Sequence, residues 1–321
     1  MVKYKRIKYT DHADWLAKRK TGIGGSDISA VVNLNPFVGS YKLWLEKTGQ
    51  APEENIESER MFWGKRNEAT IADVFAEKHT DLRVVKCSDI LQHPTEDFAI
   101  YNPDRLLYKD GELGILEIKT SGSYHKNYTE HTYPDAPYLQ VLWGMYVTGA
   151  TFGWLCALIN GNQYFEYYIE RNDSIIETLA QSAREFWNNY IIPYFDDFTV
   201  AEEPPADGSQ NATDTLSSVY PQAQEGLSLE LEGLTDLVKS LVGAKNELKE
   251  MEAYCSKLEN RIKQLLGNAE TGFSEKALVN WKNYQKEVFA AKELQVDNPE
   301  LYNKYLRTKP YRAMYVKLLE E

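Results

Sequence analysis

Cysteine is scarce in this 321-residue chain: Cys87, Cys156 and Cys255 stand far apart, with no C-x-x-C spacing. That excludes a disulfide framework and a Cys-only zinc site, and three thiols fall short of the four that a one-chain iron–sulfur cluster takes. Long apolar runs are missing as well. No stretch approaches about eighteen apolar residues, mean hydropathy is -0.52, and the opening MVKYKRIKYTDHADW has no apolar segment behind its charges. Neither a membrane span nor a secretory signal is expected, and a soluble, cytoplasmic protein is. Internal repeats and low-complexity tracts are absent, which removes solenoids and arrays. Positive charge is in deficit, with 36 basic against 48 acidic residues for a formal charge of -12, so the whole-chain field predicts no affinity for nucleic acid.

What is present is ample material for a core, 43% hydrophobic residues with 7 Trp, 22 Tyr and 11 Phe, and that argues against disorder. The charge is unevenly spread. Residues 1–20 hold seven Lys or Arg against two Asp, a local +5, which reads as a cation-rich face or as solubilising lysines at a terminus. Residues 199–226 have three prolines, many small polar residues and no Lys or Arg, and read as a linker between a domain over 1–198 and a tail over 227–321.

In the tail, Leu241, Ala244, Leu248, Met251, Cys255, Leu258, Ile262 and Leu265 recur at spacings of three and four, the seam of a coiled coil. Beyond it, KALVNWKNYQKEVF alternates like a strand and NPELYNKYL reads as a short helix with proline in its first turn, a small mixed unit. The first 200 residues interleave both patterns. Helical spacing marks 59–79 and 137–148; strand-like runs flank KDGEL within 98–120, and a second hairpin over 152–169 turns at Asn160-Gly161-Asn162. The fold class expected is α/β or α+β.

In GILEIKT, alternation puts Leu116 and Ile118 on one face of a strand and Glu117 and Lys119 on the other. A turn at Asp110-Gly111 would fold the preceding run back and let Asp104 approach Glu117. Two carboxylates suit a hard divalent cation that activates water for phosphodiester hydrolysis, with the lysine positioning that water. A surface salt bridge reads equally from so loose a spacing. Glu68 aligns with Met61, Ile71, Ala72 and Phe75 on an apolar helix face, where it needs a cation or a core arginine. Gln140, the one amide among the mostly apolar positions of YLQVLWGMYVTG, either orients Lys119 or a phosphate or bonds to a neighbouring helix.

Taken in order, GIGGSD (22–27), WGKRNE (63–68), NPDR (102–105), LEIKT (116–120) and YLQVLWGMYVTG (138–149) resemble the YqaJ-type viral recombinase family over about residues 10–170. That family is similar to the phage lambda-type exonucleases within the PD-(D/E)xK nuclease superfamily. The resemblance implies a twisted mixed sheet flanked by helices. It implies Asp104 and Glu117 as metal-binding carboxylates, Glu68 as a third group of the metal shell, Lys119 as the catalytic lysine and Gln140 as the motif glutamine. Arg19 falls where the family holds a 5' phosphate, with Ser26 beside it.

The function so implied is 5'-to-3' digestion of one strand of linear duplex DNA, dependent on Mg2+ with Mn2+ as a substitute. The overhang would go to a single-strand annealing partner for phage recombination, and ring-shaped trimers of the family imply a homo-oligomer. Two alternatives stay open: a restriction- or repair-type endonuclease with the same D…ExK core, and a silent DNA-end-binding scaffold, against which the intact Asp104, Glu117 and Lys119 weigh.

Overall fold

The computed structural model describes residues 4–51, 58–122, 128–308 and 311–319. The chain divides into two units, Met1–Tyr220 and Pro221–Glu321. In the first, the elements run β1 (Lys5–Ile7), α1 (His12–Lys20), α2 (Gly25–Val31), α3 (Ser40–Thr48), α4 (Glu59–Lys78), β2 (Arg83–Lys86), β3 (Ile90–Gln92) and β4 (Ile100–Tyr101). There follow β5 (Arg105–Lys109), β6 (Glu112–Ser121), α5 (Asp135–Thr148), β7 (Phe152–Ile159), β8 (Gln163–Glu170) and α6 (Asp173–Phe186). A π-helical turn at Trp187–Ile191 leads into α7 (Ile192–Asp196), and α8 (Gln210–Val219) closes the unit.

The main sheet has five strands in the order β2-β5-β6-β7-β8. Only β6 and β7 run parallel, joined by a crossover through α5; the other neighbours are antiparallel, so the sheet is mixed. Both anticipated hairpins form. Asp110 (φ 50°) and Gly111 (φ 84°) make the β5–β6 turn with two positive φ angles, a conformation that suits Asp-Gly. Asn160 (φ 53°) and Gly161 (φ 75°) turn β7 into β8.

Two helices cover opposite faces of the sheet. Ile71, Ala72 and Phe75 of α4 pack with Leu116 and Ile118 of β6, while Val141, Leu142 and Met145 of α5 pack with Ile115 on the reverse side. The strand alternation read from GILEIKT therefore holds, and Glu117 and Lys119 lie on the α5 side. Met61 does not share the burial of the rest of its stripe: it is exposed, because α4 buries only residues from Ile71 onward. A second sheet, β1-β3-β4, lies in the same unit.

Trp143 sets the position of α5. Its buried indole N–H donates to the carbonyls of both Ile23 (3.1 Å) and Ile100 (3.0 Å). Residues 22–24 run beside β4, Ile23 donating to Phe98 and accepting from Ile100, so α2 begins against the same face of α5. Gly25 permits that approach: a Cβ there would stand 2.9 Å from Gln140 Cγ and from the Tyr101 ring.

The segment 199–226 is not wholly a linker. It contains α8, whose Ala212 is buried, and the Tyr220 hydroxyl lies 3.4 Å from that of Tyr41; the first unit thus ends at Tyr220 rather than 198. Absence of Lys and Arg made the segment look unstructured, yet a small alanine needs no apolar periodicity to dock. In the second unit, α9 (Leu234–Leu266) carries the predicted seam, β9 (Thr271–Phe273) pairs with β10 (Leu278–Asn280), and α10 (Ala291–Asp297) precedes α11 (Pro299–Tyr305). Of the run expected as a long strand, only Leu278–Asn280 pairs, and α10 was not anticipated. The proline-started helix forms, with the Asn298 side chain accepting from the Leu301 N–H. No described helix is long and apolar enough to cross a membrane.

Gly144 lets α5 approach the strands closely, since a Cβ would fall 2.5 Å from Ile115 Cδ1 and from the Tyr101 ring. Gly144→Val should cost about 3 kcal/mol of stability through overpacking, measured by urea denaturation. A loss below about 1 kcal/mol would mean that the α5–sheet contact is looser than described.

Candidate active site

The β5–β6 register pairs Arg105 with Leu116, which sets Asp104 level with Glu117. The Ile118 N–H donates to Asp104 Oδ2 at 2.6 Å, tying the loop carboxylate to the strand. Glu117 is buried, 2% exposed, and is held by donors on both oxygens. Lys119 Nζ (2.6 Å) and the Gln140 amide bond Oε1, and the Tyr101 hydroxyl bonds Oε2 at 3.0 Å. Lys119 Nζ also donates to Gln140 Oε1 at 2.8 Å. Asp104, the Glu117–Lys119 pair on one strand and Gln140 thus meet in one cluster, in which Gln140 accepts from Lys119.

Glu68 stands differently. Its Oε1 accepts from the guanidinium of buried Arg105 at 2.6 Å, the core-arginine alternative, while its charge still acts on Asp104. Arg105 spans the two, since it also donates to the Asp104 carbonyl. Helical spacing showed that Glu68 needed a partner; only the strand pairing shows which.

The electrostatics identify the strained member. Burial and the Glu117 charge push the Asp104 carboxyl well above its usual range, against the pull of Lys119 and the Ile118 N–H, and Glu68 adds to the push. For Lys119 burial opposes the charge, but Glu117 and Asp104 outweigh it and raise the ammonium. Burial, helped by Glu117, lifts the Tyr101 phenol well above its ordinary value and that of Tyr128 to about 12. A buried and a half-buried carboxylate crowded this way fit a divalent cation that would relieve their repulsion. Among the described residues no set of three or more His, Cys, Asp and Glu is arranged to hold an ion, which leaves the pair itself as the candidate. Mg2+ suits two carboxylates, because it retains much of its water.

The cluster opens into a cleft of about 830 Å³ whose lining includes Ser26, Arg60, Lys119, Tyr128 and Gln140. Ser26 accepts a hydrogen bond from Arg19, whose guanidinium also reaches Asp27 (3.3 Å) and lies over the Trp15 ring. So the two residues assigned to phosphate binding are adjacent, and Ser26 shares a cleft with Lys119. The cation-rich N-terminal face is largely neutralised: Lys5 pairs with Asp97, Arg6 with Asp89 and Lys18 with Asp14.

Asp27 and Lys47 had no assigned role, yet they support Arg19 from below. Lys47, 5% exposed, donates to Asp27 Oδ2 at 2.6 Å and to the Arg19 carbonyl at 3.0 Å, and the Gly24 N–H donates to the same Asp27 oxygen. Burial opposes ionisation of Asp27, but Lys47 and Arg19 prevail and hold its carboxyl at about 2. A signal for Lys47 existed, since it lies three and four residues after Trp44 and Leu43, on their buried helix face. Arg105 closes the NPDR motif without an assigned role, and no pattern marked Tyr101.

The YqaJ-like viral recombinase domain model matches residues 14–151, a stretch containing all seven residues assigned above. The uncharacterized protein YqaJ of Bacillus subtilis (strain 168) is 30% identical over 308 residues, spanning 95% of this chain and 93% of that one. The chain belongs to the YqaJ-like viral recombinase family. Among solved structures, the alkaline exonuclease LHK-Exo of Laribacter hongkongensis superposes with a TM-score of 0.41 at 18% identity, over 55% of this chain and 91% of that one. Its complex with dAMP gives 0.41 at 19% over the same shares. The match to YqaJ extends through the second unit, so that relative spans both parts of the family member described here.

Because the folded-state value of Asp27 is depressed from about 3.9, the stabilisation from its pairing is present above that range and is lost as pH falls toward about 2. Lys47→Met should cost about 3 kcal/mol at neutral pH by leaving a buried carboxylate short of its nearest cation. Adding Asp27→Asn should recover part of the loss. Urea titrations of both variants across pH 3 to 7 would check this, and an unchanged midpoint in Lys47→Met would contradict the pairing.

Proposed function

We propose that this protein is a metal-dependent deoxyribonuclease that digests linear duplex DNA from a 5'-phosphorylated end, in the 5'-to-3' direction, with Mg2+ as the natural ion and Mn2+ as a substitute. The observation that carries the reading is the meeting of Asp104, Glu117, Lys119 and Gln140 at the edge of one cleft. Membership in a recombinase family supports it, since resection leaves the single strand that an annealing partner would take up.

Asp104 and Glu117 would hold the cation, which when bound polarises a phosphoryl oxygen and makes a water acidic. Lys119, fixed between Glu117 and Gln140, orients that water toward the phosphorus. Tyr101 keeps Glu117 from turning away by bonding its second oxygen. Glu68 acts through Arg105, which grips both it and the Asp104 carbonyl, and so positions the Asp104 loop. Ser26, which lines the cleft with Lys119, and the adjacent Arg19 receive the terminal phosphate, their alignment set by Asp27. A 5' phosphate accepts charge-assisted hydrogen bonds from the guanidinium that a 5' hydroxyl cannot.

Asp104→Ala and Glu117→Ala should each abolish cleavage of linear duplex while the fold stays intact by circular dichroism. More than a few per cent of wild-type rate in either would defeat the assignment. Lys119→Ala should inactivate but still bind duplex ends. For end recognition, Arg19→Ala should slow digestion of 5'-phosphorylated duplex about tenfold or more, the loss of a charge-assisted contact, and barely alter 5'-hydroxyl duplex. The rate ratio of the two substrates reports this, and closed circular DNA as a third substrate distinguishes an end-dependent enzyme from an endonuclease.

A further inference from the structure

Helix α9 has 33 residues and none of them is buried, so at about 1.5 Å per residue it presents an apolar stripe roughly 50 Å long. Its start at Leu234 extends the seam beyond what spacing alone marked. Every a position from Leu234 to Ile262 and every d position from Leu237 to Leu265 is now apolar or cysteine. Leu237, Met251 and Leu265 are 69%, 60% and 73% exposed, a stripe that a single solvated helix has no reason to keep.

The flanking residues decide what can lie on it. The e positions hold Val238, Lys245, Glu252, Glu259 and Leu266, and the g positions Ser240, Glu247, Tyr254 and Arg261. In a parallel pair or trimer each g residue meets the e residue five places on in its neighbour. The one contact between two charged residues is then Glu247 against Glu252, repulsive at every interface. An antiparallel pair instead sets e against e and g against g. With the helices fully overlapped, Leu248 packs on Met251 of the second copy and Lys245 meets Glu252 of the second copy, twice, with no like charges opposed. Sliding by one heptad either way leaves eight of the ten a–d layers paired; one slide sets Lys245 on Lys245 and Glu247 on Glu247, and the other sets Lys245 on Glu259 and Glu247 on Arg261 but Glu252 on Glu252. Charge therefore selects the antiparallel direction, and the length of the overlap selects the register.

We propose that α9 is a dimerisation device that pairs with α9 of a second copy of this chain as an antiparallel two-stranded coiled coil centred between Leu248 and Met251. The arrangement is independent of the nuclease reading, since it uses no residue of the cleft. It also places Cys255 of one copy against Ala244 of the other, whereas a parallel coil would place Cys255 against Cys255.

Full-length protein, its mass followed by light scattering, tests this with two sets of variants. Glu252→Lys turns both Lys–Glu contacts into Lys–Lys contacts and should raise the dimer dissociation constant about fivefold to tenfold; Lys245→Glu combined with Glu252→Lys should restore it. In a parallel coil Glu252→Lys would relieve repulsion and tighten the assembly. Under mild oxidation Ala244→Cys should give a covalent dimer whose tryptic map joins the new thiol to Cys255, while the wild-type chain should not link through Cys255 alone. A tightened or unaffected Glu252→Lys, a Cys255-to-Cys255 link in the wild type, no covalent dimer from Ala244→Cys, or a monomeric chain at high micromolar concentration would each overturn the proposal.

Discussion

The pairing of Arg105 with Leu116 places Asp104 level with Glu117 on the face of β6 that α5 covers, and the Ile118 N–H then closes on Asp104. A slip of one residue would turn Glu117 and Lys119 toward α4 and bury them among Leu116's present neighbours. What holds the register is the apolar alternation of β6 on its two sides, with Ile115 packed under α5 and Leu116 and Ile118 under α4. The chemistry of the cleft is thus secured by apolar packing on the reverse of the strand that carries it.

Two charge clusters adjoin the cleft, one through Lys119 and Gln140 and the other through Ser26, and each is satisfied in its own way. Around Glu117 the donors are Lys119, Gln140 and Tyr101, a set that leaves Asp104 crowded and raised. Around Asp27 the donors are Lys47, Arg19 and Gly24, and there the carboxylate is lowered. One acid is held uncomfortable and the other is fully compensated. The contrast lies in the neighbours, a second carboxylate beside Asp104 and two cations beside Asp27.

The second unit poses the opposite physical problem. Its long helix exposes its apolar residues, so its stability as an element depends on something that covers the stripe. Charges at the seam's margins carry the orientation information that the apolar residues lack, because leucines at a and d accept either direction while Lys245 and Glu252 do not.

Much was readable in one dimension where the cause was local. Asp110-Gly111 and Asn160-Gly161 announced their turns through positive φ, β6 its two faces through alternation, α9 its seam through heptad spacing, and α11 its start through Asn298-Pro299. The residues that meet in the cleft were legible as types in a motif order. Partnership was not: that Glu68 goes to Arg105, that Lys47 turns inward to Asp27, that Tyr101 locks Glu117, and that α8 belongs to the first unit through Ala212 and Tyr220. Each of those depends on which distant segments the sheet register and the Trp143 anchor bring within hydrogen-bonding reach. Periodicity and turn chemistry act over a few residues and are written in the sequence by itself, whereas the pairing of buried charges is settled only when the tertiary structure removes water and leaves each group the neighbours it has.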